Sequence, residues 1–168
     1  MSDKAEIVLF WIFAVPLMIS ALGVVFARNP VHSAMSLVSA FFFLAGIYIL
    51  LTAHLIAFLQ IIVYAGAIMV LFLFVIMLLS LSDAELGFDR ITAVKWVGML
   101  GGLGVFALVI RAVSQLPAQG MRPVGADFGT VRAVGKLLFT QYLLPFEATS
   151  VLLLVAIVGA VVVAKQKI

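Results

Sequence analysis

The chain alternates between long apolar runs and short polar stretches, and five of the runs are long enough to cross a bilayer as helices. A spanning helix needs about 20 mostly apolar residues, because the hydrocarbon core is about 30 Å thick. The pattern therefore predicts an all-α integral membrane protein with one membrane domain over residues 1–168. The predicted spans are residues 7–27, 31–52, 55–81, 91–113 and 146–164.

The second and third predicted spans come from one stretch, residues 31–82, that has no charge at neutral pH and no proline. A single helix of that length would reach about 78 Å, more than twice the hydrocarbon thickness. The stretch must therefore fold back. The polar cluster nearest its middle is Thr52-Ala53-His54, so the sequence predicts a hairpin there.

The remaining polar stretches predict loops. "SLSDAELGFDR" follows the third span, and residues 114–136, rich in glycine and proline, form the one long predicted loop. The segment "LLFTQYLL", just before Pro145, predicts a short helix at the membrane surface.

The composition indicates that the chain is surrounded by lipid, and it limits the partners and cofactors that the chain could bind. The chain is 66% hydrophobic and 10% charged, against about 25% charged in soluble domains. The net charge is +3 with the basic residues scattered, so no nucleic-acid partner is expected. Without cysteine there is no disulfide and no thiolate-held iron–sulfur cluster. His32 and His54 would lie about 33 Å apart on one helix, so we expect no metal or cofactor in this chain.

The third predicted span carries an unusual set of residues for a membrane helix. Gln60, Tyr64 and Ala67 follow i, i+4, i+7 spacing and share one face, which a packing face for a neighbouring helix would explain. Tyr64, however, lies about 13 Å into the span, too deep for an interfacial role. Gly66 beside it weakens a helix and permits local irregularity, of which a π-bulge is the usual form at functional sites.

Glu147 is the one acid that lies clearly inside a predicted span. Intramembrane carboxylates are candidates for proton pathways. Because Pro145 favours a helix start, Glu147 would also fall in the first turn, where free N–H groups and the helix dipole stabilise a carboxylate. Both interpretations, a helix cap and a proton-path group, stay open.

The segment "FLQIIVYAGAIMVLFLFVIMLL" closely resembles the third helix of the J subunit of bacterial NADH:quinone oxidoreductase, chain 6 of mitochondrial complex I. "RNPVHSA" is similar to that family's first loop, and "LLPFEATSVLLLVAIVGAVVVAK" to its last helix. The resemblance implies a π-bulge at Tyr64 to Met69 that switches between bulged and regular forms. The implied switch residues are Gln60, Tyr64, Gly66, Ala67 and Met69. Some relatives have glutamate where this chain has Gln60, so no proton carrier is assigned there.

The resemblance further implies a membrane subunit of a proton-pumping NADH:quinone oxidoreductase, with no redox centre of its own. Quinone, flavin and iron–sulfur clusters would then belong to sister subunits. The implied partners are the quinone-site subunit, neighbouring small and antiporter-like subunits, and membrane lipid. Three alternatives remain: a J-type subunit of a ferredoxin- or other-donor complex, a stand-alone small membrane transporter, and an assembly subunit with no moving part.

Orientation does not follow from charge, because each side of the membrane would carry five basic residues. The resemblance implies a bacterial cytoplasmic (inner) membrane protein with its N-terminus outside and its C-terminus in the cytoplasm. Arg28 and the Lys165/Lys167 pair, close to span ends, are in keeping with that orientation.

Overall fold

The computed structural model describes residues 3–79, 92–115, 125 and 127–165, and these residues form helices joined by turns. Four of the helices, α1, α2, α3 and α6, are long and apolar enough to cross a membrane. The prediction of an all-α chain is therefore confirmed over the described residues, and the four apolar helices are consistent with a membrane protein. The helices are α1 (Asp3–Phe26), α2 (Pro30–Leu50), α3 (His54–Leu79), α4 (Thr92–Ser114), α5 (Val131–Thr140) and α6 (Leu143–Ala164).

Two predicted boundaries differ from the structure. α5 begins at Val131, so the long loop predicted over residues 114–136 ends earlier, and the helix expected from "LLFTQYLL" stops at Thr140. α6 begins at Leu143 instead of Phe146, because Pro145 is tolerated inside a first turn that has no N–H partners. Some predicted features lie outside the described residues. They are the loop over residues 80–90, the span ends at residues 81 and 91, Arg122 and Lys167.

α1 and α2 pack closely along small residues. A Cβ on Gly46 would collide with the ring of Phe13, and one on Gly23 would lie 3.0 Å from Ser36 Oγ. The Ser33 hydroxyl donates a 2.7 Å hydrogen bond to the Val24 carbonyl. Small side chains and interhelical hydrogen bonds hold helices together in lipid, where burial of apolar surface supplies little force.

The predicted hairpin between α2 and α3 is present and ends α2 with a Schellman motif. The Thr52 N–H donates to the Ile49 carbonyl and the Ala53 N–H to the Tyr48 carbonyl, at 3.0 and 2.9 Å. Thr52 takes the left-handed conformation that this motif requires, with φ 58°. A β-branched residue is unusual there, since glycine normally supplies that conformation.

A segment far along the chain closes over this hairpin. The Gly129 carbonyl accepts a 3.0 Å hydrogen bond from the Leu55 N–H, one of the donors that the first turn of α3 leaves free. Gly129 has φ +70°, and a Cβ there would collide with the Thr52 carbonyl oxygen. Glycine is therefore needed for this contact, both because of its positive φ and because a Cβ would not fit.

α5 and α6 meet at a tight corner. The Thr130 side chain caps α5 by accepting from the Ala133 N–H at 3.2 Å. After α5 ends, the Tyr142 N–H returns to the Leu137 carbonyl at 3.0 Å. The rings of Phe139 and Phe146 pack edge to face, 5.0 Å apart, and fix the angle between the two helices.

The chain divides into two compact units. One unit contains α1, α2, the larger part of α3, α5 and α6, and the other contains the end of α3 and α4. Few side chains are buried in either, and those of the described core are mostly alanine. Every residue of α6 is exposed, so its whole surface is available to lipid or to other proteins.

Candidate functional site: an irregular membrane helix

The middle of α3 is a π-helix of nine residues, Gln60–Ile68, between α-helical segments His54–Leu59 and Met69–Leu79. At its end the Met69 N–H reaches the Tyr64 carbonyl, five residues back. The irregular segment therefore begins four residues before the Tyr64 position that the resemblance implied. π-helical turns are rare, and they occur frequently at functional sites.

Gly66 permits the close backbone approach within this segment. A Cβ at Gly66 would lie 3.2 Å from the Ile61 carbonyl oxygen, which is five residues earlier. The neighbour is backbone, so it cannot turn aside as the end of a flexible side chain would. The glycine that the sequence singles out thus has a local steric reason in the π form.

The π segment changes which residues of α3 are buried. Ala57, Gln60 and Met69 are 2%, 6% and 4% exposed. Gln60 and Met69 are nine residues apart, about 2.5 turns of a regular α-helix, which would point them to opposite faces. The wider i→i+5 winding brings both into the interior of the chain.

Ala67 does not lie on the packing face that regular spacing predicts, because it is exposed. In a regular α-helix Ala67 would sit only about 20° around the axis from Gln60. The slower winding of the π segment carries Ala67 away from that face and moves Met69 onto it. In this conformation Gln60 of the predicted stripe is buried and Tyr64 contacts α2, whereas Ala67 is not covered within the chain.

Tyr64 contacts α2 through its ring. The rings of Phe41 and Tyr64 lie 5.8 Å apart at 61°, an edge-to-face arrangement, and Tyr64 remains 49% exposed. α2 packs against both the π segment and the preceding α-helical segment of α3. The part of α3 before Met69 is thus supported by a neighbouring helix of the same chain.

Gln60 is the polar side chain in the described core. Its amide atoms are not fully enclosed, because no enclosed side-chain nitrogen or oxygen in the described ranges lacks a hydrogen-bond partner and no bond to this amide is seen there. A glutamine amide both donates and accepts, and it carries no charge. Gln60 can therefore bind a polar group or a water beside the π segment without the cost of a buried charge.

Glu147 is not in the first turn of its helix, contrary to the expectation from Pro145. α6 begins two residues before the proline, so Glu147 is the fifth helical residue and is exposed. The Phe146 N–H already donates to the Tyr142 carbonyl at 3.0 Å. Because the dipole effect fades beyond the first turn, the helix-cap interpretation loses its main support.

The contacts of four residues in this region were not anticipated from the sequence, although Thr52 was already part of the predicted hairpin. Phe41 is one of three consecutive phenylalanines, and nothing marks it as the contact of Tyr64. The Ile61 carbonyl matters only once the helix is irregular. Thr52 and Gly129 form the contact at the start of α3. The one feature of the sequence that pointed to it was a glycine just before the helix cap Thr130.

The described residues offer no group of three or more His, Cys, Asp or Glu side chains that could hold a metal ion. The arrangement around the π segment contains one amide, one phenol and close backbone contacts. In this one conformation the π segment buries Gln60, and Met69 directly after it, and sets the Tyr64 ring against Phe41 of α2.

The fold and the site define a multi-pass membrane protein whose distinctive feature is an irregular third helix. The family model described as NADH-ubiquinone/plastoquinone oxidoreductase chain 6 matches residues 20–163, and the chain belongs to that family. It is 39% identical to NADH-quinone oxidoreductase subunit 10 of Thermus thermophilus, over 86% of this chain and 81% of that one.

Other relatives agree on the family. NADH-quinone oxidoreductase subunit J of Rhodobacter capsulatus is 36% identical, over 90% of this chain and 78% of its own length. NAD(P)H-quinone oxidoreductase chain 6 of Nostoc sp. is 37% identical, over 99% of this chain and 83% of its own. The family resemblance inferred from the sequence is confirmed.

Proposed function

We propose that this chain is a membrane subunit of a proton-pumping NADH:quinone oxidoreductase in the bacterial cytoplasmic membrane. Its role is to couple quinone reduction to proton movement through a change in the winding of α3. The observation that carries the proposal is the π-helical segment Gln60–Ile68 in a member of this family.

The two windings bury different residues of α3. In the π form Met69 is buried and Ala67 exposed. In a regular α-helix that keeps Gln60 in place, Ala67 and Tyr64 turn within about 40° of Gln60, while Met69 turns to the opposite face. The change replaces the bulky apolar side chain of Met69 by the methyl group of Ala67 while Tyr64 stays near Gln60, which makes room for water. Two such packings need differ by only a few kcal/mol to be switched by a distant site.

The start of α3 is the fixed end of this element. The Gly129 carbonyl holds the Leu55 N–H, and α2 packs on the segment that follows. A change of winding within residues 60–68 then rotates the chain after Met69 relative to the start of α3. An element that is held at one end and rotates at the other can transmit a conformational change, as coupling requires.

We also infer that α4 is the fifth spanning helix. The Leu55–Gly129 bond supports this inference, because it joins the start of α3 to the segment before α5, and both would then lie on one side of the membrane. α3 leaves that side, so the chain must cross again before Gly129. α4 has 23 residues, about 34 Å, enough for one crossing. The family supports an N-terminus outside and a C-terminus in the cytoplasm.

In this proposal the chain is a non-catalytic subunit. Quinone, flavin and iron–sulfur clusters reside in sister subunits, and the partners are the quinone-site subunit with neighbouring small and antiporter-like subunits. The fully exposed surface of α6 supports contacts with such partners or with lipid. Gln60, Tyr64, Gly66, Ala67 and Met69 form the coupling element, and Glu147 is a candidate for proton access.

A second candidate is a J-type subunit of a complex with another electron donor. Relatives at similar identity are named NADH-quinone and NAD(P)H-quinone oxidoreductase subunits, so the donor in the name is not the same for all of them. The chain itself does not contact the donor in either case.

The test is purification of the tagged full chain from native membranes. We expect quinone-site and antiporter-like subunits to co-purify, together with flavin and iron–sulfur clusters, and we expect NADH to reduce quinone with proton uptake into vesicles. Reduction by another donor but not by NADH would favour the second candidate. A chain that purifies alone and conducts ions in vesicles would contradict both and identify a transporter.

A further inference from the structure

α5 is held at the membrane surface from both ends. The segment before it is bonded to the start of α3 through Gly129 and Leu55, and its end is joined by a two-residue turn to the start of α6. Both helices it touches are long and apolar enough to cross a bilayer. The ends of two spanning helices therefore fix α5 at the depth of the headgroups.

α5 is amphipathic, with its cations in one row. Arg132 and Lys136 are exposed and spaced i, i+4, so they lie about 6 Å apart along one face. Thr140 continues the row. Val134 and Leu138, also i, i+4, are partly buried on the opposite side of the helix, and Ala133 and Gly135 are partly buried as well. The cation row therefore points away from the chain.

Apolar side chains border the cation row. Val131 is 65% and Leu137 44% exposed. A free phosphate would gain nothing from these neighbours, whereas a phospholipid supplies both a headgroup phosphate and acyl chains. Arginine binds phosphate in a bidentate fashion and lysine as a point charge, so the row fits an anionic headgroup. The exposed carboxylate of Asp127, just before the helix, is the nearest described acid in the sequence and leaves the surface net positive.

We propose that the exposed face of α5, with Arg132 and Lys136 at its centre, binds the headgroup of an anionic phospholipid. The bound lipid fills the corner between α5 and the bilayer and stabilises the contact of the preceding segment with the start of α3. Cationic side chains on amphipathic helices at bilayer surfaces bind anionic lipids in this way.

The experiment uses the assembled complex in phosphatidylcholine nanodiscs that contain a photoreactive phosphatidylglycerol, or a photoreactive phosphatidylcholine with the same acyl chains. Crosslinks within residues 125–142 are quantified by mass spectrometry as a function of probe content. We expect labelling by the phosphatidylglycerol probe well above that by the phosphatidylcholine probe. Excess inorganic phosphate at constant ionic strength should not displace it.

The variant Arg132→Gln/Lys136→Gln should raise the probe content for half-maximal labelling about 30-fold, equivalent to about 1 kcal/mol per cation. The matched control Arg28→Gln/Lys165→Gln removes the same charge from positions outside α5 and should label like the wild type. Arg132→Lys should retain most of the labelling. Equal labelling by the two probes, a double variant that labels like the wild type, or labelling that requires removal of a sister subunit would each overturn the proposal.

Discussion

Gln60 and Met69 are both buried in the interior of the chain although nine residues separate them, a spacing that would place them on opposite faces of a regular helix. The π segment between them accounts for this relationship. The same winding leaves Ala67 exposed, and Gly66 permits it by avoiding a contact with the Ile61 carbonyl. The conformation of α3 can therefore be followed by asking which of Ala67 and Met69 is covered.

Truncation of Met69 should weaken the π form. Met69→Ala removes a side chain that is 4% exposed and leaves a cavity. Lipid is about as apolar as the helix interface, so the free energy of transfer is small. We therefore expect the free energy of unfolding to fall by about 1–2 kcal/mol, below the about 2–5 kcal/mol of such truncations in water-soluble cores. The measurement is the thermal unfolding of the purified complex. Met77→Ala, at a position 66% exposed, is the matched control; equal effects of the two variants would contradict the burial of Met69.

The contact between Gly129 and the start of α3 should depend on glycine. Gly129→Ala places a Cβ against the Thr52 carbonyl at φ +70°, so the Leu55–Gly129 hydrogen bond should break. We expect amide exchange at Leu55 in the assembled complex to accelerate at least about tenfold, equivalent to about 1.4 kcal/mol. Gly125→Ala, in the same connection but in open space, should leave the exchange unchanged. Unchanged protection of Leu55 in Gly129→Ala would refute this role.

Glu147 should contribute little to the stability of α6. Because it lies beyond the first turn and is exposed, Glu147→Gln should change the unfolding of the complex by less than about 0.5 kcal/mol. A loss above about 1 kcal/mol would restore the helix-cap interpretation. If stability is retained and quinone reduction continues while proton pumping falls, the carboxylate belongs to the proton path.

Much of the fold follows from the sequence because lipid imposes simple rules. Apolar runs of the required length predicted the spanning helices, and the polar cluster around Thr52 predicted the hairpin. The start of α6 was misplaced because Pro145 was taken as its first residue, whereas a proline within the first turn breaks no hydrogen bond. α5 was misplaced because its amphipathic sequence overlaps a glycine-rich stretch that suggested a loop.

The site was only partly predictable. A tyrosine and a glycine at mid-span marked the irregularity, but the predicted face of Gln60, Tyr64 and Ala67 assumed 3.6 residues per turn. The π winding invalidates that assumption, so Ala67 and Met69 exchange places. The Leu55–Gly129 bond joins segments distant in the sequence, and no local pattern encodes it.

A side chain at Gly66 should favour the regular helix. Gly66→Ala adds about 1 kcal/mol of helix propensity and places a Cβ 3.2 Å from the Ile61 carbonyl in the π form. We expect an assembled complex with quinone-reductase turnover and proton pumping lowered several-fold. Gly98→Ala and Gly159→Ala, at helical glycines in open space, are controls for the propensity change. If Gly66→Ala keeps the wild-type rates and proton stoichiometry, the switch is contradicted and the π segment has a structural role only.

The most direct test of the switch compares the exposure of positions 67 and 69 in the working enzyme. The chain has no cysteine, so Ala67→Cys and Met69→Cys each introduce a single thiol into it. The labelling rate of each thiol by N-ethylmaleimide is measured in the assembled complex at rest and during steady turnover with NADH and quinone. The account predicts a reciprocal change, in which the labelling rate of one thiol rises during turnover while that of the other falls. The same ratio of labelling rates in both states would contradict it.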